Sequence, residues 1–280
     1  MLEGIDTWPV PHVAAAALDR SGRVVEARGE THRVFRLASI SKLMTAWAIL
    51  IACDEGVVAL DDAAGQPGGT LRHLLAHAGG YPFEGVEPIA PVEQRRIYSN
   101  TGVELAAAHV EAAAGMPFAT YLAEAVFEPL SMATTELRGS PAHGVYATVG
   151  DVATFLAETM HPRLLSAPLA VEAVTAQFPR LSGIVPAIGR FDPCPWGLGF
   201  ELRGDKSPHW TGAHNSPATY GHFGGAGTMA WCDPAAGCAL VALSDLAFDR
   251  WSVEAMRVWP ALSDTTLATI GGSGDTASPS

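Results

Sequence analysis

The sequence predicts an α+β fold. It is an α/β/α sandwich whose antiparallel sheet is built from both chain ends, flanked by helices, with a helical subdomain inserted between. Three observations carry that expectation. Short apolar strand-like stretches open the chain, helical segments fill its middle, and strand-like stretches return before a last helix. A length of 280 residues, with 48% hydrophobic and 16% charged, suits one large globular body or two interlocked ones.

The elements follow in order. "HVAAAALDRSGRVVEARG" reads as two short strands around the turn "RSG". An apolar helix follows from Ser39 to Glu55, and "EGVVALDD" ends that segment. From Thr70 to Phe178 the pattern is mostly helical: "LRHLLAHAGG", "VELAAAHVEAAAG", "PFATYLAEAVFEPL" and "VGDVATFLAETM", each punctuated by glycine or proline. The texture then returns to strand in "PWGLGFELRG", "AGTMAWCD" and "GCALVALSD", and "RWSVEAMRVWPAL" closes the fold as a helix. These spans place a sheet domain at 1–60 and 190–262 and a helical subdomain at 61–189. The Gly/Ser/Thr/Ala-rich stretch 263–280 is expected to be a disordered tail.

Charge and composition exclude several functions. The net charge is −12 and no basic run is present, so the positive footprint that nucleic acid requires is missing. The longest apolar run, Leu43 to Cys53, is too short to cross a bilayer, and "MLEGIDTWPVPH" has no basic leader region. A cytoplasmic protein with no membrane partner is the expectation. Cys53, Cys194, Cys232 and Cys238 show no metal spacing. Cys232 and Cys238 flank the turn "DPAAG" and could face each other, though two small apolar strand residues is the favoured reading.

The chemistry starts at "FRLASISKLM". Only two residues are lysine, Lys42 and Lys206, and Lys42 falls in the first turn of the apolar helix, three residues after Ser39. The positive helix N-terminus and burial both disfavour an ammonium there. Both lower the lysine's pKa, and a neutral lysine can take the hydroxyl proton of a neighbouring serine. The ordinary alternative is Ser39 as a helix cap and Lys42 reaching to solvent.

In "RRIYSNTGVE", Tyr98 and Asn100 are two apart and point the same way from an extended loop. Thr101 with Glu104 makes a capping box for the next helix, which frees Asn100 for other work. In "YGHFGGAGTMAW", four glycines lead into a strand and allow backbone to approach a ligand closely. His73 and His77 stand at i, i+4 on a helix, but no zinc-protease glutamate follows the first and no third ligand is evident. No metal and no organic cofactor is implied.

Together and in this order, Ser39-Ile-Ser-Lys42, Tyr98-Ser-Asn100 and His222-Phe-Gly224-Gly225 resemble the serine hydrolases of the class C β-lactamase and penicillin-binding-protein superfamily. "LRHLLAHAGGYP" and "PWGLGFEL" add to the likeness, which runs from about residue 10 to 260. The resemblance implies the β-lactamase/transpeptidase-like fold and a small-molecule ester or amide substrate. It casts Ser39 as the acylated nucleophile, Lys42 as its base and Tyr98 as the proton relay. Asn100 would orient Lys42 and the substrate carbonyl. The amides of Ser39 and Gly225 would form the oxyanion hole, with His222 and Gly224 in the substrate-binding strand. Penicillin-recognising members usually carry lysine where this chain has His222, which weakens the case for carboxylate-bearing substrates. The expectation is therefore a carboxylic-ester hydrolase. The alternatives are a D-amino-acid peptidase or weak β-lactamase, and a non-catalytic ligand-binding member of the same fold.

Overall fold

The computed structural model describes residues 1–271. The alanine-rich run "VAAAAL" forms β1 (Val13–Leu18), and Gly22 at φ 79° turns the chain into β2 (Val24–Gly29). After the short β3 (Phe35–Arg36), a 3-10 turn at Ala38–Ile40 leads into α1 (Ser41–Asp54). Next come α2 (Leu71–Leu75), α3 (Asn100–Ala114) and α4 (Phe118–Leu122), the last continued by a π turn at Ala123–Phe127. The short strands β4 (Glu136–Leu137) and β5 (Val145–Ala147) precede α5 (Val149–Met160) and α6 (Ala167–Ala173). The hairpin β6 (Gly183–Val185) and β7 (Gly189–Phe191) follows. The chain closes with β8 (Glu201–Leu202), β9 (Tyr220–Gly224), β10 (Thr228–Asp233), β11 (Cys238–Ser244) and α7 (Ser252–Gly271).

The main sheet is antiparallel, in the order β2-β1-β11-β10-β9-β8. It joins the first two strands to the last four, as the sequence predicts. The two-residue period of its strands builds two cores. Ala14, Ala16, Leu18, Val241 and Leu243 face one core with α1, α3 and α5, while Ala15, Ala17, Leu240, Ala242 and Trp231 face the other with α7. Helices on both faces make the α/β/α sandwich. The helix α1 is buried at every position from Ser41 to Ala52, so it has no solvent face on which to place a charge.

Two expectations need correction. The segment 263–271 is helix, not disordered tail, because Leu262 and Leu267 pack on the core and the Ser263 hydroxyl accepts a hydrogen bond from the Trp231 indole at 3.0 Å. Residues 272–280 of that expected tail lie outside the described residues. "YGHFG", a glycine-rich lead-in by its own pattern and a substrate-binding strand by the resemblance, is the paired strand β9. The helix of "LRHLLAHAGG" ends at Leu75, and His77, with φ 55°, lies beyond it. His73 and His77 therefore do not share a helix face. His73 instead closes a capping interaction with Thr70 and contacts Glu93 at 2.9 Å.

Cys232 and Cys238 are free and belong to opposite cores, so they do not face each other. Among the described residues no group of His, Cys, Asp and Glu could hold a metal ion, and no helix is long and apolar enough to cross a membrane.

Candidate active site

Ser39 sits in the 3-10 turn, just before α1 begins at Ser41. It does not cap the helix: the cap position is Ile40, with no side-chain hydrogen bond. Ala38, directly before it, has φ 48°, a left-handed conformation that L-residues avoid. Two clamps hold that turn. The Thr228 hydroxyl donates to the Leu37 carbonyl at 2.9 Å. Gly224 packs so closely on the turn that a methyl group there would collide with the Leu37 carbonyl and Thr228 Oγ1.

Gly224 therefore acts behind the nucleophile turn and is absent from the cavity lining, whereas Gly225 lines the cavity and has open space where a Cβ would stand. Gly224→Ala is expected to destabilise the fold by about 1–3 kcal/mol, the usual cost of overpacking. Gly225→Ala should melt with the parent. Equal melting temperatures for the two variants in a thermal scan would remove the packing role given to Gly224.

Lys42 is fully buried and does not reach solvent. Its amine donates to Asn100 Oδ1 at 2.6 Å and to the Ala142 carbonyl at 2.9 Å, and lies 3.3 Å from Ser39 Oγ. Burial lowers its pKa to about 7, against a smaller upward pull from Glu104. A neutral amine has two N–H donors and one lone pair. Asn100 and Ala142 take the two donors, which leaves the lone pair for the hydroxyl of Ser39.

Asn100 is in place for a reason other than the expected one. Ser99 caps α3 by accepting from the Gly102 amide at 2.9 Å, and Glu104 takes the Ser140 hydroxyl at 2.5 Å instead of completing a box with Thr101. Asn100 is thus the first residue of α3, with its side chain turned inward to Lys42.

The ring of Tyr98 lies 4.8 Å from the Lys42 amine, close enough for the ring face to attract an ammonium. Tyr98 is packed among His77, His222 and Trp196, with ring centroids 4.8, 5.4 and 5.8 Å away. Burial raises its pKa above the ordinary tyrosine value, partly offset by the Ser39 hydroxyl, so it stays protonated at neutral pH. Its hydroxyl is buried without a well-formed hydrogen-bond partner.

His222 is also buried. Its Nδ1 lies 2.5 Å from the Phe223 carbonyl, which can only accept, so Nδ1 carries the proton. Burial, reinforced by Lys42, lowers its pKa to about 4, so the ring is neutral at pH 7. The remaining nitrogen, Nε2, is then a bare acceptor, buried and unpartnered.

Ser39, Tyr98, His222 and Gly225 line one cavity of about 430 Å³. Most of its other walls are apolar or aromatic: Phe83, Val185, Trp196, Phe223 and Phe248. The backbone N–H groups of Ser39 and Gly225 have no protein acceptor among the described residues. The structure therefore brings together Ser39, Lys42, Tyr98, Asn100, His222 and Gly225, and sets Gly224 behind them.

Sequence reasoning missed several participants. The Ala142 carbonyl is backbone and carries no side-chain signature. Trp196 and Glu201 lay inside "PWGLGFEL", noted only for its likeness. Glu201 is buried, accepts from the Trp210 indole at 2.8 Å, and meets Lys206 at 3.1 Å and His209 at 3.2 Å. Burial alone would raise its pKa, but Lys206 and His209 outweigh it and hold the carboxyl below the usual range.

Comparison with known proteins adds the following. The Beta-lactamase family model matches residues 10–262. Penicillin-binding protein 4* of Bacillus subtilis (strain 168) is 30% identical over 162 residues, which cover 44% of this chain and 36% of that protein. The chain thus spans little more than a third of that relative's length. A solved β-lactamase structure from Mycobacterium bovis is 46% identical with a TM-score of 0.93, covering 96% of this chain and 99% of that one. A simvastatin synthase mutant from Aspergillus terreus has a TM-score of 0.74 at 19% identity, covering 95% and 93%, a likeness of fold alone.

Proposed function

The chain belongs to the Beta-lactamase family and is a serine hydrolase of that family, and from that premise we propose that it cleaves carboxylic esters through an acyl-enzyme on Ser39. The observation that carries the reading is the Lys42 amine, buried, with two fixed acceptors and its lone pair left for Ser39. Lys42 is then the base. As Ser39 Oγ bonds to the substrate carbonyl carbon, its proton passes to Lys42. The ammonium so formed is met by the face of Tyr98 and by Asn100 Oδ1.

The carbonyl oxygen becomes an oxyanion within reach of the free amides of Ser39 and Gly225. Collapse breaks the bond to the leaving oxygen, which takes its proton through the Tyr98 hydroxyl. Water then attacks the acyl-enzyme, giving its proton back along the same groups, and Ser39 and the free acid are restored.

The preference for esters rests on His222. A neutral imidazole with a buried, unpartnered lone pair in the cavity wall repels a carboxylate where a lysine would attract one. An ester with no charge next to its reacting carbonyl suits those walls. The amide reading draws on a different observation. An amine leaving group must be protonated, and the buried Tyr98 hydroxyl has no well-formed hydrogen bond to hold its proton. The 46%-identical structure, described as a β-lactamase, supports that second reading.

Intact-mass analysis after incubation with p-nitrophenyl butyrate, a fluorophosphonate or a penicillin separates the readings. An adduct on Ser39 with the fluorophosphonate, with turnover of the butyrate, is the expected result. A stable penicillin adduct without ester turnover would favour amide hydrolysis. No adduct and no turnover with any reagent would leave a ligand-binding protein.

A further inference from the structure

A second cavity, of about 360 Å³, shares the walls Phe83, Tyr98 and Pro186 with the Ser39 cavity. Its character is different. Its lining holds Arg95, Arg96 and Arg190 and no acidic residue, in a chain whose net charge is −12. Arg96 is buried, and each of its acceptors is a neutral carbonyl: Cys194 at 2.6 Å, Gln177 at 2.8 Å, Phe178 at 3.1 Å, and Ala76. Those bonds satisfy its N–H groups without cancelling its charge. Arg95 and Arg190 are exposed at the mouth, and neither forms an ion pair among the described residues. Arg23, Arg28, Arg72 and Arg138, by contrast, each meet a carboxylate.

Much of the rest of the lining is hydrocarbon, and part of it stays in contact with water. Phe83, Ile89 and Ile184 are 50%, 56% and 60% exposed, unusual values for large apolar side chains beside a cavity. The hairpin β6–β7 explains how one wall serves both spaces. Ile184 pairs with Arg190 across the hairpin and both line the second cavity, while the adjacent Val185 lines the first. Successive strand residues point to opposite faces, so the hairpin borders both cavities.

We propose that this second cavity is a subsite for one arm of the ester bound at Ser39, a hydrocarbon arm that ends in an anionic group held by Arg95 and Arg190. The subsite rests on the reading of Ser39 as the acylated residue. Guanidinium pairs match carboxylate and sulfate oxygens bidentately, and the uncancelled charge of Arg96 adds to the field. Negative charge is thus disfavoured beside the reacting carbonyl, where His222 stands, and favoured one arm's length away.

Two measurements test it. The first is binding to Ser39→Ala, which needs no turnover, with decanoate, decyl sulfate, decanol and decyltrimethylammonium as probes. Both anions are expected to bind at least about tenfold more tightly than the alcohol or the cation. Added salt should narrow that gap, and it should close in the Ser39→Ala/Arg95→Ala/Arg190→Ala triple variant. The second is the ratio of kcat/KM for mono-p-nitrophenyl suberate to that for p-nitrophenyl octanoate. That ratio should exceed one in the parent and fall at least about fivefold in Arg95→Ala/Arg190→Ala. Equal binding of all four probes, or an anion preference that survives the triple variant, would overturn the subsite. Anion-selective binding with no turnover of either ester would keep the subsite and overturn the ester reading alone. Turnover of both esters at equal kcat/KM would do the reverse.

Discussion

Lys42→Ala is expected to slow acylation of Ser39 by about 10²–10⁴-fold, the range that a positioned acid–base group contributes. The Lys42 amine lies 3.3 Å from the Ser39 hydroxyl, with its pKa lowered to about 7. The change also strands two acceptors, Asn100 Oδ1 and the Ala142 carbonyl, so part of the loss could come from the fold. Lys42→Met, which fills the same volume, separates the two effects: it should melt near the parent and remain as slow as the alanine variant.

The pH profile gives an independent check. Lys42 must be neutral to accept a proton, and its neutral fraction rises as pH increases through about 7. The value of kcat/KM should therefore climb through that region and level off above it. His222, with a pKa of about 4, is neutral throughout and cannot produce that limb. A methionine variant within tenfold of the parent rate, or a limb centred near pH 4, would remove Lys42 as the base.

Glu201→Ala carries the largest expected cost in stability. It leaves the buried Lys206 amine with neutral partners, the carbonyls of Pro195 and Leu202 and the Trp196 ring, and no carboxylate. Breaking one partner of a buried ion pair costs about 3–5 kcal/mol, a fall in melting temperature of order 10 °C for a chain of this size. The double variant Glu201→Ala/Lys206→Met should recover part of the loss, because no charge is then stranded. A single variant that melts within about 2 °C of the parent would show that the pair is not a structural support.

The pH dependence of that support has a definite sign. The folded-state pKa of Glu201 is depressed, so its contribution is complete above the ordinary carboxylate value and is lost as pH falls through the lower folded one. Glu201 also lines the Ser39 cavity, and Lys206 lies 5.8 Å from the ring centroid of Trp196, so its loss should loosen that wall as well.

The parts of the site that were legible in sequence are those whose chemistry resides in unusual side chains. A lysine in the first turn of an apolar helix conflicts with both its neighbours and its position, and such conflicts mark function. Asn100 meets Lys42 without the expected capping box of Thr101 and Glu104, because Ser99 competes with Thr101 for the cap and stands at the true start of the helix.

What stayed hidden depends on backbone or on tertiary packing. The Ala142 carbonyl fixes one hydrogen of the Lys42 amine, but alanine advertises nothing. The strand "YGHFG" contains glycines that its own pattern reads as breaks, and pairing with β8 and β10 holds it as a strand. "GIVPAIGRF" bends on Pro186 and on Ala187 at φ 62°, so neither strand of its hairpin is long enough to show a period. Beyond Leu262, serine and threonine mask the few apolar positions that hold α7 on the sheet.

The burial of both lysines has a practical outcome. Arginine alone supplies the remaining 15 of the 17 basic side chains. Lys206 is enclosed with Glu201, and Lys42 sits behind Ser39. Reagents that acylate lysine, whether dyes, crosslinkers or activated resins, find no ε-amine on the surface. Lysine labelling therefore reports on unfolding: both ε-amines should stay unmodified while the fold is intact and react once it opens.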